Sequence, residues 1–167
     1  MKFLGEGSFG EVRGNKDFIF KHIEKRFDLE DINRELKTHE VLLGEVEFTQ
    51  LAPEYCYYPK QLDKYEILIQ AYRYKRDLSR MMATQFVSEK GLFWKLDIIM
   101  QSALATKKMH DNKLGHFDIK LENILIIDNY NIAFHDFGTT LHEDEFNQLN
   151  YPVGTPGYVA PELYKNY

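Results

Sequence analysis

The stretch Gly5-Glu6-Gly7-Ser8-Phe9-Gly10-Glu11-Val12 sets glycines at the first, third and sixth positions between two runs that alternate like strands, Lys2-Phe3-Leu4 and Glu11-Val12-Arg13. Glycine permits a tight turn and lets backbone N–H groups approach phosphate oxygens without side-chain obstruction. A dinucleotide-binding fingerprint needs a helix directly after its third glycine and an acidic residue about 20 positions on. Here another strand pattern follows, Phe18-Ile19-Phe20-Lys21, with Gly14-Asn15-Lys16-Asp17 as the turn before it. The pattern therefore excludes a βαβ opening and predicts a glycine-rich flap on a small antiparallel sheet.

The period then changes. Ile32, Leu36, His39 and Leu43 share one face at steps of four, three and four, predicting a helix over Asp31–Leu43, capped by Asp31 and ended by Gly44. Two more strands are expected at Tyr55–Tyr58 and Tyr65–Tyr72. Leu92, Leu96, Ile99, Ala103, Thr106 and His110 mark a long amphipathic helix running to Lys113–Asp118. A hairpin of Ile124–Ile127 and Asn131–Phe134 crosses Asp128-Asn129-Tyr130, and the remainder reads as loop. The layout is α+β, with two unlike halves meeting near Tyr72–Arg76 and no internal repeat.

The 167 residues, 44% hydrophobic and 28% charged, suit one globular domain. A net charge of −5 gives no general attraction to nucleic acid or anionic membrane, so neither is expected as a partner. The single cysteine, Cys56, cannot close an intramolecular disulfide, which points to a reducing compartment. No apolar run approaches the roughly 20 residues of a spanning helix, and glycines and a glutamate interrupt the first residues as no signal peptide would. An intracellular, cytoplasmic location is the expectation. The 12 Phe, 11 Tyr and 1 Trp read as core filler, because no basic clusters are interleaved with them.

The second half makes the glycine pattern specific. His116-Phe117-Asp118-Ile119-Lys120-Leu121-Glu122-Asn123 is followed by Asp136-Phe137-Gly138 and by Gly154-Thr155-Pro156-Gly157-Tyr158-Val159-Ala160-Pro161-Glu162. With the glycine loop these are the protein-kinase signature segments in order. Asp118 precedes Asp136 by 18 positions and Asn123 precedes it by 13, which suits a hairpin between the two segments. The chain resembles a eukaryotic-type protein kinase, most like the Ser/Thr branch. The resemblance implies a bilobal fold, with a small β-rich N-lobe over 1–72 and the first, incomplete part of a helical C-lobe over 73–167.

It also implies chemistry. Phosphoryl transfer is mainly positioning and electrostatic stabilisation of concentrated negative charge. By resemblance, ATP would meet Gly5, Gly7, Ser8, Phe9 and Gly10 of the loop, Val12 above the adenine and Leu125 below it. Ile69 would be the gatekeeper, and the backbone of Gln70 to Tyr72 would pair with the adenine edge. Lys21 would hold the α- and β-phosphates, oriented by a glutamate on the following helix. Glu35, 14 positions on, is the choice, with Glu40 as fallback. Asn123 and Asp136 would hold Mg2+, Asp118 would accept or orient the substrate hydroxyl proton, and Lys120 would neutralise the transferring phosphate and contact Thr155. ATP, Mg2+ and a protein substrate are the implied ligands. A non-catalytic, pseudokinase-like or truncated binding module is the alternative, and a small-molecule kinase of related fold is disfavoured by Gly154–Glu162. His22, His39 and His142 lack metal-ligand spacing and read as surface or packing residues. Arg73, Lys75, Arg76 and Arg80 read as a solvated basic face, with contact to an acidic substrate as the alternative.

Several positions depart from the family pattern. Phe117 stands where most regulated kinases carry the arginine that pairs with a phosphorylated activation loop, so activity independent of that phosphorylation is expected. Glu143-Asp144-Glu145 would repel an added phosphate. Ile19 replaces a small residue above the adenine, Gly115 replaces a β-branched residue and is expected to loosen its strand, and His39 replaces an aliphatic one. The chain stops five residues past Glu162, where the family continues through further helices. A partner or a missing C-terminal segment is therefore expected to cover the incomplete lobe, with Leu96, Ile99 and Leu163 otherwise facing water.

Overall fold

The computed structural model describes residues 2–7, 10–24, 29–42, 51–57, 65–72, 74, 76–84, 90–127, 131–146 and 152–164. They divide into two compact units, with the boundary between Arg73 and Tyr74. The first holds a five-stranded antiparallel sheet of β1 (Lys2–Gly7), β2 (Gly10–Gly14), β3 (Phe18–Glu24), β4 (Leu51–Tyr57) and β5 (Tyr65–Tyr72), in the order β1-β2-β3-β5-β4. The β2–β3 turn closes because the Asn15 side-chain oxygen accepts from the N–H groups of Asp17 and Phe18, each at 2.9 Å. An asparagine that copies a backbone turn in this way fixes the hairpin register, placing Val12 opposite Lys21. On its other edge β3 sets Lys21 opposite Ile69 and Phe18 opposite Tyr72.

Helix α1 (Leu29–Val41) carries Ile32, Leu36 and His39 on its buried side, as the spacing predicts, together with Glu35 and Thr38, and Leu42 just after it is buried too. It begins two residues before Asp31, which therefore lies inside the first turn rather than capping it. Leu43 and Gly44 lie outside the described residues, as do Tyr58 and the turn at 128–130.

The second unit begins with the two-residue strand β6 (Arg76–Asp77) and helix α2 (Leu78–Met82), whose N-terminus is capped by Asp77 accepting from the Arg80 N–H at 2.7 Å. The long helix α3 (Leu92–Asp111) buries Ile98, Ala105 and Met109. The stripe read from the sequence proves to be the other face: Leu92, Leu96 and Ile99 are 68%, 49% and 64% exposed. Apolar residues occur nearly all round this helix, so its periodicity could not select the face that packs.

Strands β8 (Ile124–Ile126) and β9 (Ile132–Phe134) form the expected hairpin, whose second strand is wholly buried. The Gln101 side-chain oxygen accepts from the Ile132 N–H at 3.1 Å, tying α3 to that strand. Two pairings were not legible as strands: β6 adds to β8, and β7 (Leu114–Gly115) pairs with β10 (Leu141–His142). The segment read as loop also holds a helical turn, α4 (Glu143–Phe146), and short 3-10 turns at Phe137–Thr139 and Pro161–Tyr164. No helix among the described residues is long and apolar enough to cross a membrane.

Candidate active site

In the first unit the sheet and helix α1 bring Lys21 and Glu35 together. The Lys21 Nζ donates to both Glu35 carboxylate oxygens at 2.8 Å, with the two side chains 13% and 5% exposed. Glu40, one turn further along α1, is exposed. Gly7 and Gly10 are the last opposed pair of the β1–β2 ladder, and the register shifts between Phe3 and Gly5. Ser8 and Phe9 lie outside the described residues. Ile19 is half-buried and opposite Gly14 and Ala71. Ile69 and Tyr72 are placed on β5 by backbone register alone.

In the second unit a short loop between β7 and β8 gathers the polar residues around Asp118. Its Oδ2 accepts from Lys120 Nζ at 2.7 Å and from Asn123 Nδ2 at 3.0 Å. Its Oδ1 accepts from the Thr155 N–H at 3.0 Å and the Thr155 hydroxyl at 2.6 Å. Lys120 Nζ also donates to Thr155 Oγ1 at 2.6 Å. Burial of Asp118 works against ionisation, but the Lys120 hydrogen bond, the Thr155 hydroxyl, the Lys120 charge and the Thr155 N–H outweigh it. Together they hold the carboxyl below its ordinary range.

Asn123 spends its amide nitrogen twice, on Asp118 Oδ2 and on the Asp118 carbonyl at 2.9 Å. That leaves its side-chain carbonyl oxygen as the donor atom for a cation. Asp136 follows β9 in a left-handed backbone conformation, φ 61° and ψ 73°. One carboxylate and one amide oxygen are the hard, sparse donor set that magnesium takes when phosphate and water complete its shell, so these two residues fit the ion. Leu125 sits half-buried on β8 opposite Ala133.

His116 organises the loop. Its Nδ1 accepts from the Asp118 N–H at 3.3 Å, and its Nε2 lies 3.2 Å from the His135 carbonyl, to which it donates in that tautomer. The ring packs edge-on to Phe134 and tilted against Phe137, and burial lowers its pKa despite the raising effect of the His135 carbonyl.

The sequence did not single out the surroundings of Phe117. Its φ is +62°, its ring packs on Phe146, and a Cβ added at Gly154 would lie 2.3 Å from its carbonyl oxygen. A Cβ at Gly115 would lie 2.6 Å from the Phe117 ring, so the two departures from the family pattern fit each other. Of the histidines left without a role, His22 and His39 are buried packing residues and His142 is half-exposed. Arg76 and Arg80 are exposed, Arg80 pairing with Asp77 at 3.3 Å; Arg73 and Lys75 lie outside the described residues.

The first unit thus holds a strand lysine paired with a helix glutamate, and the second an aspartate bonded by lysine, asparagine and threonine, residue types that occur in the protein-kinase signature segments. The protein kinase domain family matches residues 1–167, and the chain belongs to that family. It is 46% identical over 68 residues to the phosphorylase b kinase gamma catalytic chain, liver/testis isoform, of Bos taurus, covering 40% of this chain and 17% of that one. It is 39% identical over 82 residues to the LEAF RUST 10 disease-resistance locus receptor-like protein kinase-like 1.4 of Arabidopsis thaliana, covering 47% of this chain and 12% of that one. The chain thus matches less than a fifth of the length of either relative.

Proposed function

We propose that the chain acts as a Ser/Thr protein kinase, moving the γ-phosphoryl group of ATP to a protein hydroxyl. The observation that carries this reading is the Asp118 cluster. An ionised carboxylate held by two donors on each oxygen is poised to take up or orient a hydroxyl proton. Lys120 supports the Ser/Thr assignment, because its ammonium contacts Asp118 and Thr155 together and adds positive charge where phosphoryl oxygens would gather.

Lys21, oriented by Glu35, binds the α- and β-phosphates. The glycine residues Gly5, Gly7 and Gly10, with Ser8, Phe9 and Val12, cover the nucleotide, and Ile69, Tyr72 and Leu125 contact its base. Asn123 and Asp136 hold magnesium, which when bound neutralises phosphate charge. The domain reading remains an N-lobe over 1–72 and part of a C-lobe over 73–167, acting intracellularly in the cytoplasm. Neither nucleic acid nor membrane is a partner in this reading.

The test is transfer from labelled ATP with magnesium to a generic protein substrate, run beside Asp118→Asn and Asp136→Ala. Incorporation by the wild type well above both variants is expected. Equal incorporation in all three would leave the non-catalytic, pseudokinase-like or truncated binding module.

A further inference from the structure

We infer that Phe117 is a positioning residue, clasped by Phe146, which holds Asp118 against Thr155 without any phosphate. The inference rests on the reading of Asp118 as the group that meets the substrate hydroxyl. A left-handed φ of +62° is a costly conformation for an aromatic residue and persists only where the surroundings over-determine it.

Three contacts supply that determination. The Phe117 and Phe146 rings lie 5.0 Å apart between centroids at 33°. A Cβ added at Gly115 would lie 2.6 Å from the edge of the Phe117 ring, and one added at Gly154 would lie 2.3 Å from the Phe117 carbonyl oxygen. Gly154 precedes Thr155 as Phe117 precedes Asp118. The close approach of Gly154 to Phe117 and the two hydrogen bonds from Thr155 to Asp118 are therefore successive rungs of one contact.

Phe146 reaches this position because its segment is bound to the residues before the catalytic loop. β10 pairs with β7, the Glu143 N–H donates to the Lys113 carbonyl at 2.9 Å, and the Thr139 hydroxyl donates to the His116 carbonyl at 3.0 Å. Lys113 and Glu143 also form an ion pair, but it is exposed and screened, so the ring contact is the part that salt does not weaken. A phosphate added nearby would meet Glu143, Asp144 and Glu145. An apolar clasp suits this acidic neighbourhood where a phosphate–arginine pair does not.

The experiment compares Phe146→Ala and Phe146→Tyr in the full chain. Phe146 is 43% exposed, so truncation opens no closed cavity. Amide exchange at Thr155, whose N–H is bonded to Asp118, should quicken about three- to tenfold in Phe146→Ala and stay at the wild-type rate in Phe146→Tyr. In transfer assays kcat should fall by a similar factor in Phe146→Ala while KM for ATP stays within about twofold. Phosphatase treatment of the wild type should change neither reading. Unaltered Thr155 exchange in Phe146→Ala, or faster exchange after phosphatase treatment, overturns the clasp. A wild type without transfer sinks the kinase reading, while the exchange measurement still decides whether Phe146 holds Thr155 in place.

Discussion

The Lys21 ammonium lies 2.8 Å from both carboxylate oxygens of Glu35, joining the middle strand of the first sheet to helix α1. Both groups are largely removed from water, and they pair at hydrogen-bond distance.

Removing one member alone leaves a poorly solvated charge, and Glu35→Leu is expected to cost about 2–3 kcal/mol. Lys21→Met with Glu35→Leu should recover most of that stability, because replacing both members of a buried pair by apolar groups is often nearly neutral. The double variant should still transfer phosphate at least about a hundredfold more slowly than the wild type, as expected for loss of an electrostatic anchor. Denaturant midpoints and initial rates measured together check this. Recovery of activity along with stability would make the pair structural only.

The resemblance to protein kinases pointed to this pair, and a strand and a strongly periodic helix are what hold its two side chains in place. Lys21 lies mid-strand, because β3 runs on to Glu24 rather than stopping at the lysine, and Glu35 lies beside Leu36 on the face that packs. The Asp118 cluster was also reached through the resemblance: Asp118, Lys120 and Asn123 lie within one short loop, whereas Thr155 is 35 positions past Lys120. The buried face of α3 was not legible, since Leu92, Leu96 and Ile99 are as apolar as Ile98, Ala105 and Met109. Nor were β6, β7 and β10, two-residue strands too short to show alternation and defined only by their partners. The Phe117 contact depends on a backbone angle and on residues 29 and 37 positions away, Phe146 and Gly154, which no local pattern encodes.

Thr155 binds Asp118 through both its N–H and its hydroxyl, and the two contacts help to lower the carboxyl pKa. Thr155→Val keeps the N–H and removes the hydroxyl. A hydrogen bond to a charged group contributes about 1.5–3 kcal/mol, so kcat/KM should fall about ten- to a hundredfold. The Asp118 pKa should also rise toward its ordinary value, moving the acidic limb of the rate profile to higher pH. Thr155→Ser should restore both. An acidic limb that does not move in Thr155→Val would show that the hydroxyl leaves the ionisation of Asp118 unaffected.

His116 and His22 predict acid sensitivity of the same sign. Burial lowers both pKa values; the Arg13 charge reinforces the effect at His22, and at His116 the raising influences of the His135 carbonyl, Asp136 and Asp118 do not overcome it. As pH falls below about 6.5 the unfolded chain takes up protons at these positions before the folded one does. Stability is therefore complete above that value and is lost on acidification toward the depressed folded pKa. The thermal midpoint should fall between pH 7 and 5, and less steeply in His22→Gln. A midpoint that is flat or rises over that range contradicts the burial of both rings as neutral species.

Gly154 and Gly157 separate backbone strain from crowding. Both have positive φ, +113° and +91°, so an L-residue at either is strained. At Gly157 an added Cβ meets nothing within 4 Å, and Gly157→Ala should cost only the backbone contribution, about 1–2 kcal/mol. At Gly154 the same atom would lie 2.3 Å from the Phe117 carbonyl oxygen and 3.2 Å from a Val159 methyl. The oxygen belongs to the backbone and cannot swing aside, so Gly154→Ala must displace Phe117 or Thr155. Its cost should exceed that of Gly157→Ala by at least about 2 kcal/mol, since overpacking adds to the strain. Transfer should fall more than stability alone requires, because Thr155 then leaves Asp118. Comparing melting midpoints with rates measured well below them checks both parts, and equal costs at the two glycines would mean that Phe117 and Gly154 are not in contact.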